Sequence, residues 1–170
     1  MPDAIDLPRR TPDRFLSIYL NDQLALGIAW RELARRSSKA NQGTEAGIAL
    51  TQVASDIAED IDTFQRIMRS LGIRRNPVKS MATALMERAG RFKPNGRLTS
   101  YSPLSRFEEL EFLILGVESK KQLWDTLDRL AGLGSRLPGI DFAQLIDRAK
   151  AQRALLEPHR VRAGADAFPA

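Results

Sequence analysis

The sequence predicts an all-α protein, an antiparallel four-helix bundle with a long crossover that carries a short helix. Three features lead there. Four long segments carry apolar residues at three-and-four spacing, the period of a helix with one buried face. The first two segments are equal in length and joined by a short polar turn, which makes them antiparallel neighbours. The stretch between the two pairs is long, basic and rich in loop-forming residues. No run of alternating β-branched residues suggests a strand, and no internal repeat is visible.

The first helix starts at Thr11-Pro12-Asp13, where a hydroxyl cap, a first-turn proline and an acidic residue follow one another. It runs to about Lys39, with an apolar stripe of Phe15, Ile18, Tyr19, Leu26, Ala29 and Leu33. Thr44 caps the second helix, whose stripe is Leu50, Val53, Ile57, Ile61, Phe64, Met68 and Leu71, and Gly72 stands where a left-handed terminator belongs. Each has about 27 residues and so spans roughly 40 Å. Asn76-Pro77 opens a shorter amphipathic helix (Val78, Met81, Ala82, Leu85, Ala89) that ends near Gly90 and would serve as a lid on the bundle. Lys93 to Pro103 has loop composition. Ser102-Pro103 then starts the third long helix, with Phe107, Leu110, Ile114, Val117, Trp124 and Leu127, ending at Gly132 or Gly134. Trp124 is expected to be buried. Asp141 caps the last helix (Phe142, Leu145, Ile146, Ala149, Leu156), which Pro158 should kink or end. The expected organisation is one domain over residues 1–170, with an N-terminal arm at 1–10, a basic crossover at 73–103 and a loose tail at 164–170.

Composition removes several function classes. Hydrophobic residues make up 43% of the 170 and charged residues 28%, a balance that permits a sizeable core. Cysteine is absent, which excludes disulfides, thiolate metal sites and cysteine nucleophiles and fits a reducing cytoplasm. No secretory signal and no apolar run long enough for a membrane span is present, so a soluble cytoplasmic protein is expected. There is no Gly-x-Ser-x-Gly nucleophile motif and no phosphate-binding Gly-x-x-x-x-Gly-Lys loop. Gly132-Leu-Gly134 has no strand before it and reads as a helix end. His159, the single histidine, lies beside a proline and reads as a surface residue.

The segment Asp56-Ile-Ala-Glu59-Asp60-Ile-Asp62, ending Ile67-Met68-Arg-Ser-Leu71-Gly72, resembles the second helix of bacterial ferritin-like proteins. Glu109-Leu-Glu111, through Leu115-Gly116-Val117 to Lys120 and Leu123-Trp124, is similar to ferritin-like proteins of actinobacterial type. Members of that superfamily with a metal site use a Glu from each of two helices and Glu-x-x-His from each of the other two. The resemblance would therefore place a first carboxylate at Asp22, a second motif at Glu59 and Asp62, and further carboxylates at Glu111 and Glu118. Both motif histidines are missing, however, and Asp147-x-x-Lys150 ends in a cation. The expectation is a non-catalytic bundle with no metal and no cofactor, in which Asp22 and Asp60 are polar inclusions paired with Arg or Lys. Glu111 and Glu118 should likewise form ion pairs with Lys120, Lys121 or a neighbouring Arg. The alternative is a degenerate metal-binding or oxidoreductase protein using Asp22, Glu59, Asp62, Glu111 and Glu118, a carboxylate set suited to Mg²⁺ or Mn²⁺.

Charge supplies the remaining lead. Residues 73–103 hold Arg74, Arg75, Lys79, Arg88, Arg91, Lys93 and Arg97 against Glu87 alone, a net +6 within a chain of net +5. The rest of the sequence is thus close to neutral. Such a concentration suits an anionic partner, either nucleic acid, with Phe92 and Tyr101 available to stack bases, or an acidic protein face. The competing reading is a solvated loop whose cations pair with the chain's own acidic helices. Homo-oligomerisation is compatible with either reading.

Overall fold

The computed structural model of the protein describes residues 14–76 and 101–169, with no strand among the described residues. Its elements are α1 (Arg14–Ala40), α2 (Glu45–Ser70), α3 (Pro103–Asp125), a π-helical turn (Thr126–Leu130), the short α4 (Leu133–Arg136) and α5 (Phe142–Ala167). The N-terminal arm, the Thr11 cap, the expected lid helix and the basic loop up to Ser100 lie outside the described residues.

Local chemistry sets the helix boundaries where the sequence indicates them. Gly43 takes φ +80° in the turn after α1, and the Thr44 hydroxyl accepts a hydrogen bond from Gly47 N at 3.1 Å. The chain reverses so tightly there that a Cβ on Gly47 would stand 2.2 Å from the Asn41 carbonyl oxygen. At the end of α2, Gly72 is left-handed at φ +67°. Ile73 N donates to Met68 O at 2.9 Å and Gly72 N to Arg69 O at 3.0 Å, the paired bonds of a Schellman stop. Ser102 caps α3 through Ser105 N at 3.0 Å, and Asp141 caps α5 through Gln144 N at 2.9 Å.

α3 packs most extensively on α5 and α1 on α2, while α1 also meets α3 and α2 meets α5. The core lies between these four helices. The α2 stripe is buried from Leu50 to Met68 as its period predicts. Trp124, also as expected, is only 1% exposed, its ring centroid 5.8 Å from Phe64 and 6.5 Å from Phe142.

Three expectations need correction. On α1 the buried face runs through Leu20, Leu24, Ala25, Ala29, Leu33 and Ala34, while Phe15 is 80% exposed and Ile18 half-exposed. Apolar residues occur on several faces of this helix, so periodicity alone does not single one out. Of the two outcomes expected at Pro158, a kink or an end, the second does not occur, since α5 continues to Ala167. Pro158 and Ala154, whose carbonyl loses its usual donor, are both exposed, so water can take the freed acceptor. Residues 164–167 are accordingly helical rather than a loose tail, and Phe168 beyond them meets Phe107 edge-on at 5.4 Å.

Asn21 ties the start of the crossover to α1. This side chain, 4% exposed, donates to Arg74 O at 3.2 Å and accepts from Asn76 N at 2.7 Å. A side-chain amide thereby substitutes for a strand partner and satisfies backbone groups that leave α2 without one. Among the described residues no helix is long and apolar enough to cross a membrane.

Candidate functional site

Each of three core helices carries one polar residue on its apolar stripe, and the three meet. Asp60 follows Val53 and Ile57 on α2, Lys120 stands between Val117 and Trp124 on α3, and Gln152 stands between Ala149 and Leu156 on α5. Lys120 Nζ donates to Asp60 Oδ2 at 2.5 Å and also to Gln152 Oε1. Gln152 Nε2 closes the ring with Asp60 Oδ2 at 3.4 Å. Asp60 is 3% exposed and Gln152 2%. Arg148 reaches in from the edge of α5, its Nη2 3.3 Å from Asp60 Oδ1 and 3.1 Å from Glu59 Oε2. Asp60 Oδ1 nevertheless has no hydrogen bond among the described residues, because the guanidinium approaches outside bonding geometry.

Burial pushes the Lys120 ammonium below the usual lysine range, and the adjacent Asp60 carboxylate opposes that shift. Asp60, Lys120, Arg148 and Glu59 together sum to zero charge, so the centre carries no net buried charge.

A half-enclosed cleft adjoins this centre between α1, α2 and α3, with about 50 Å³ of free space. Leu24, Ile57, Phe64 and Leu113 contribute to its apolar walls, Asp60 and Lys120 line it, and both tryptophans of the chain border it. Gly116 admits the Trp30 indole, since a Cβ there would stand 2.5 Å from Trp30 Cδ2. Gly27 leaves room opposite Ile61, whose Cγ1 would be 3.5 Å from an added Cβ.

A second polar cluster joins the α1–α2 turn to the start of α3. Ser37 Oγ and Tyr101 OH both donate to Glu109 Oε2, at 2.6 and 2.7 Å, and Asn41 Nδ2 donates to Tyr101 OH at 3.2 Å. Arg106 lies over the Tyr101 ring at 5.6 Å. Burial and the Glu109 carboxylate hold the Tyr101 phenol well above the usual tyrosine range. A group whose folded pKa is raised stabilises the fold fully below the unfolded pKa, and that contribution is lost as pH rises through the folded value. Tyr101 is therefore expected to keep its proton at a pH where a free tyrosine, near 10, has lost it. The difference in tyrosinate absorbance between wild type and Tyr101→Phe should appear only at higher pH or on unfolding. Tyr101→Phe should also cost about 1–2 kcal/mol, since Glu109 and Asn41 lose a partner. A difference signal developing around pH 10 in the folded protein would contradict the burial of this phenol.

The carboxylates that the resemblance proposed as ligands are not gathered into a metal centre. Glu59 is exposed and pairs with Arg148, Glu111 pairs with Arg160 at 3.4 Å, and Glu118 pairs with Lys121, whose hydrogen bond lowers the Glu118 pKa. Asp62 is exposed. Asp22 is half-buried, with no ion pair among the described residues. Among the described residues, no three of His, Asp and Glu are grouped so as to hold a metal ion. Of the proposed partner-binding cations, Arg74 and Arg75 are exposed and form no ion pair with a described residue, while Lys79, Arg88, Arg91, Lys93 and Arg97 lie outside the described residues. The sequence pointed to an Arg or Lys partner for Asp60. The role of Gln152 and of the cleft was missed, although a polar residue on an apolar stripe was the available signal. The chain matches no protein family, no curated protein and no solved structure.

Proposed function

We infer that the chain is an antiparallel four-helix bundle of ferritin-like type, non-catalytic and metal-free, which acts by binding a partner through its basic crossover. The observation that carries this reading is the state of the interior carboxylate. Asp60, the most buried carboxylate among the described residues, is held by the ammonium of Lys120 and the amide of Gln152 rather than gathered with other carboxylates. The pairing of α1 with α2 and of α3 with α5, with residues 73–103 between the pairs, supports the bundle topology. With the interior groups engaged in one another, the strongest chemical departure left is the net +6 of the crossover. Arg74 and Arg75, exposed where Asn21 fixes the crossover's start, would present the first of these charges to an anion.

Nucleic acid is the anion that best suits seven clustered cations. Each phosphate contacted steepens the fall of affinity with salt by roughly 0.7–0.9 in log–log slope. A labelled oligonucleotide is expected to bind weakly at low salt and to be released at moderate salt. Arg74→Glu/Arg75→Glu and Arg91→Glu/Lys93→Glu/Arg97→Glu variants should each bind more weakly. Equal binding by wild type and variants, or none at low salt, would rule out nucleic acid and leave an acidic protein face as the partner. Elemental analysis of the same preparation tests the metal-free half: one or two transition-metal ions per chain would overturn it.

A further inference from the structure

The chain leaving α2 is fixed residue by residue as far as Asn76. Gly72 and Ile73 close the Schellman stop, and the Ile73 side chain is buried. Asn21 then engages the backbone on both sides of Arg75, donating from Nδ2 to Arg74 O at 3.2 Å and accepting at Oδ1 from Asn76 N at 2.7 Å. Asn21 Nδ2 also donates to Ser17 O at 2.9 Å, one turn back on α1. This buried amide is thereby committed to one orientation. Arg75 is bracketed by bonds on its two neighbours, while the Arg74 and Arg75 side chains stand exposed.

Hydrogen-bond satisfaction alone does not call for this clamp. Residues 74–76 are exposed, so water could serve their backbone groups, yet an amide 4% exposed serves them from between Leu20 and Leu24. What the amide adds is fixity. A segment ordered before it meets its ligand loses less conformational entropy on binding, and a guanidinium on a fixed backbone has only its own rotamers to order. Guanidinium groups suit phosphate, which they can grip through two parallel hydrogen bonds. We propose that Asn21 is a positioning residue for anion recognition: by clamping the backbone on either side of Arg75, it holds Arg74 and Arg75 in place for nucleic-acid phosphates. The proposal rests on the reading of the crossover as a nucleic-acid-binding segment and goes beyond it in one respect: an uncharged residue of α1 sets how tightly the first two cations bind.

The experiment measures binding of a short labelled oligonucleotide at low salt to the full chain and to Asn21→Ala, which leaves the net charge unchanged. Affinity is expected to fall about tenfold, the equivalent of ordering one backbone residue on binding. Asn21→Leu, apolar and of similar volume, should show the same loss and keeps the test open if the alanine variant fails to fold by circular dichroism. In an Arg74→Gln/Arg75→Gln background, removing the Asn21 amide should cost nothing further, because the groups it positions are gone. Trp124→Ala, which weakens the core elsewhere, should bind like wild type at a temperature where it is folded. Equal binding by wild type and the Asn21 variants overturns the proposal alone. So does an equal loss in both backgrounds, or a comparable loss in folded Trp124→Ala. Absence of binding by wild type overturns the nucleic-acid reading and this proposal together.

Discussion

Replacing Lys120 with methionine is expected to destabilise the fold by about 3 kcal/mol, because the substitution leaves a buried carboxylate without its main partner. Removing one member of a buried pair typically costs about 3–5 kcal/mol. The lower end applies here because Arg148 still stands 3.3 Å from Asp60 Oδ1. For a chain of 170 residues this corresponds to a melting temperature roughly 6–12 °C lower. The double variant Asp60→Leu/Lys120→Met should regain most of that loss, since apolar residues of similar volume often replace a buried ion pair at little cost. Thermal unfolding of the two single variants and the double measures the coupling directly. A Lys120→Met protein as stable as wild type, or a double variant whose loss equals the sum of the singles, would show that the two groups do not depend on each other.

Trp124→Ala is expected to cost about 3–5 kcal/mol, the range for deleting a buried large aromatic. The indole is 1% exposed and lies between Phe64 and Phe142, so its removal strips contacts from α2 and α5 together. At about 2–4 °C per kcal/mol the melting temperature should fall by roughly 6–20 °C. Trp30→Ala provides the contrast. That side chain is only half-buried, and its removal opens the cleft without emptying the core, so its effect should be clearly smaller. A Trp124→Ala variant with an unchanged melting temperature would place the indole outside the core.

Structure is legible in the sequence where a residue acts on its near neighbours. Thr44, Gly72, Ser102 and Asp141 act within three or four residues of themselves, so their roles as caps and terminator are written locally. The α2 stripe was equally plain, because that helix has one dominant apolar face. On α1 the stripe holds at Ala29 and Leu33, which are buried, but Phe15 and Ile18 lie off the face that packing selects. Asn21 carries no charge and stands next to the more conspicuous Asp22. Its partners at Arg74 and Asn76 are more than fifty residues away, and an amide gives no charge to follow. Gln152 lies ninety-two residues from Asp60, and only the packing of α5 against α2 makes the two neighbours. The cleft depends on Gly27 of α1 facing Ile61 of α2 and on Gly116 of α3 facing Trp30 of α1, a coincidence no single helix reveals.

The Asp60–Lys120–Gln152 ring also has a consequence for how the helices are aligned along their axes. Apolar stripes are forgiving: sliding one helix past another by a turn, about 5.4 Å, exchanges leucine for leucine or alanine and changes the buried area little. A ring of three hydrogen-bonded groups is not forgiving in this way. If α5 slid by one turn, Gln152 would leave Lys120, and the carboxylate would lose its amide donor. If α3 slid, an ammonium and a carboxylate would be stranded in the core, at a cost of several kcal/mol. The polar interruptions thus act as a vernier that reads one axial alignment of three helices and rejects its neighbours, a discrimination the surrounding hydrocarbon cannot supply.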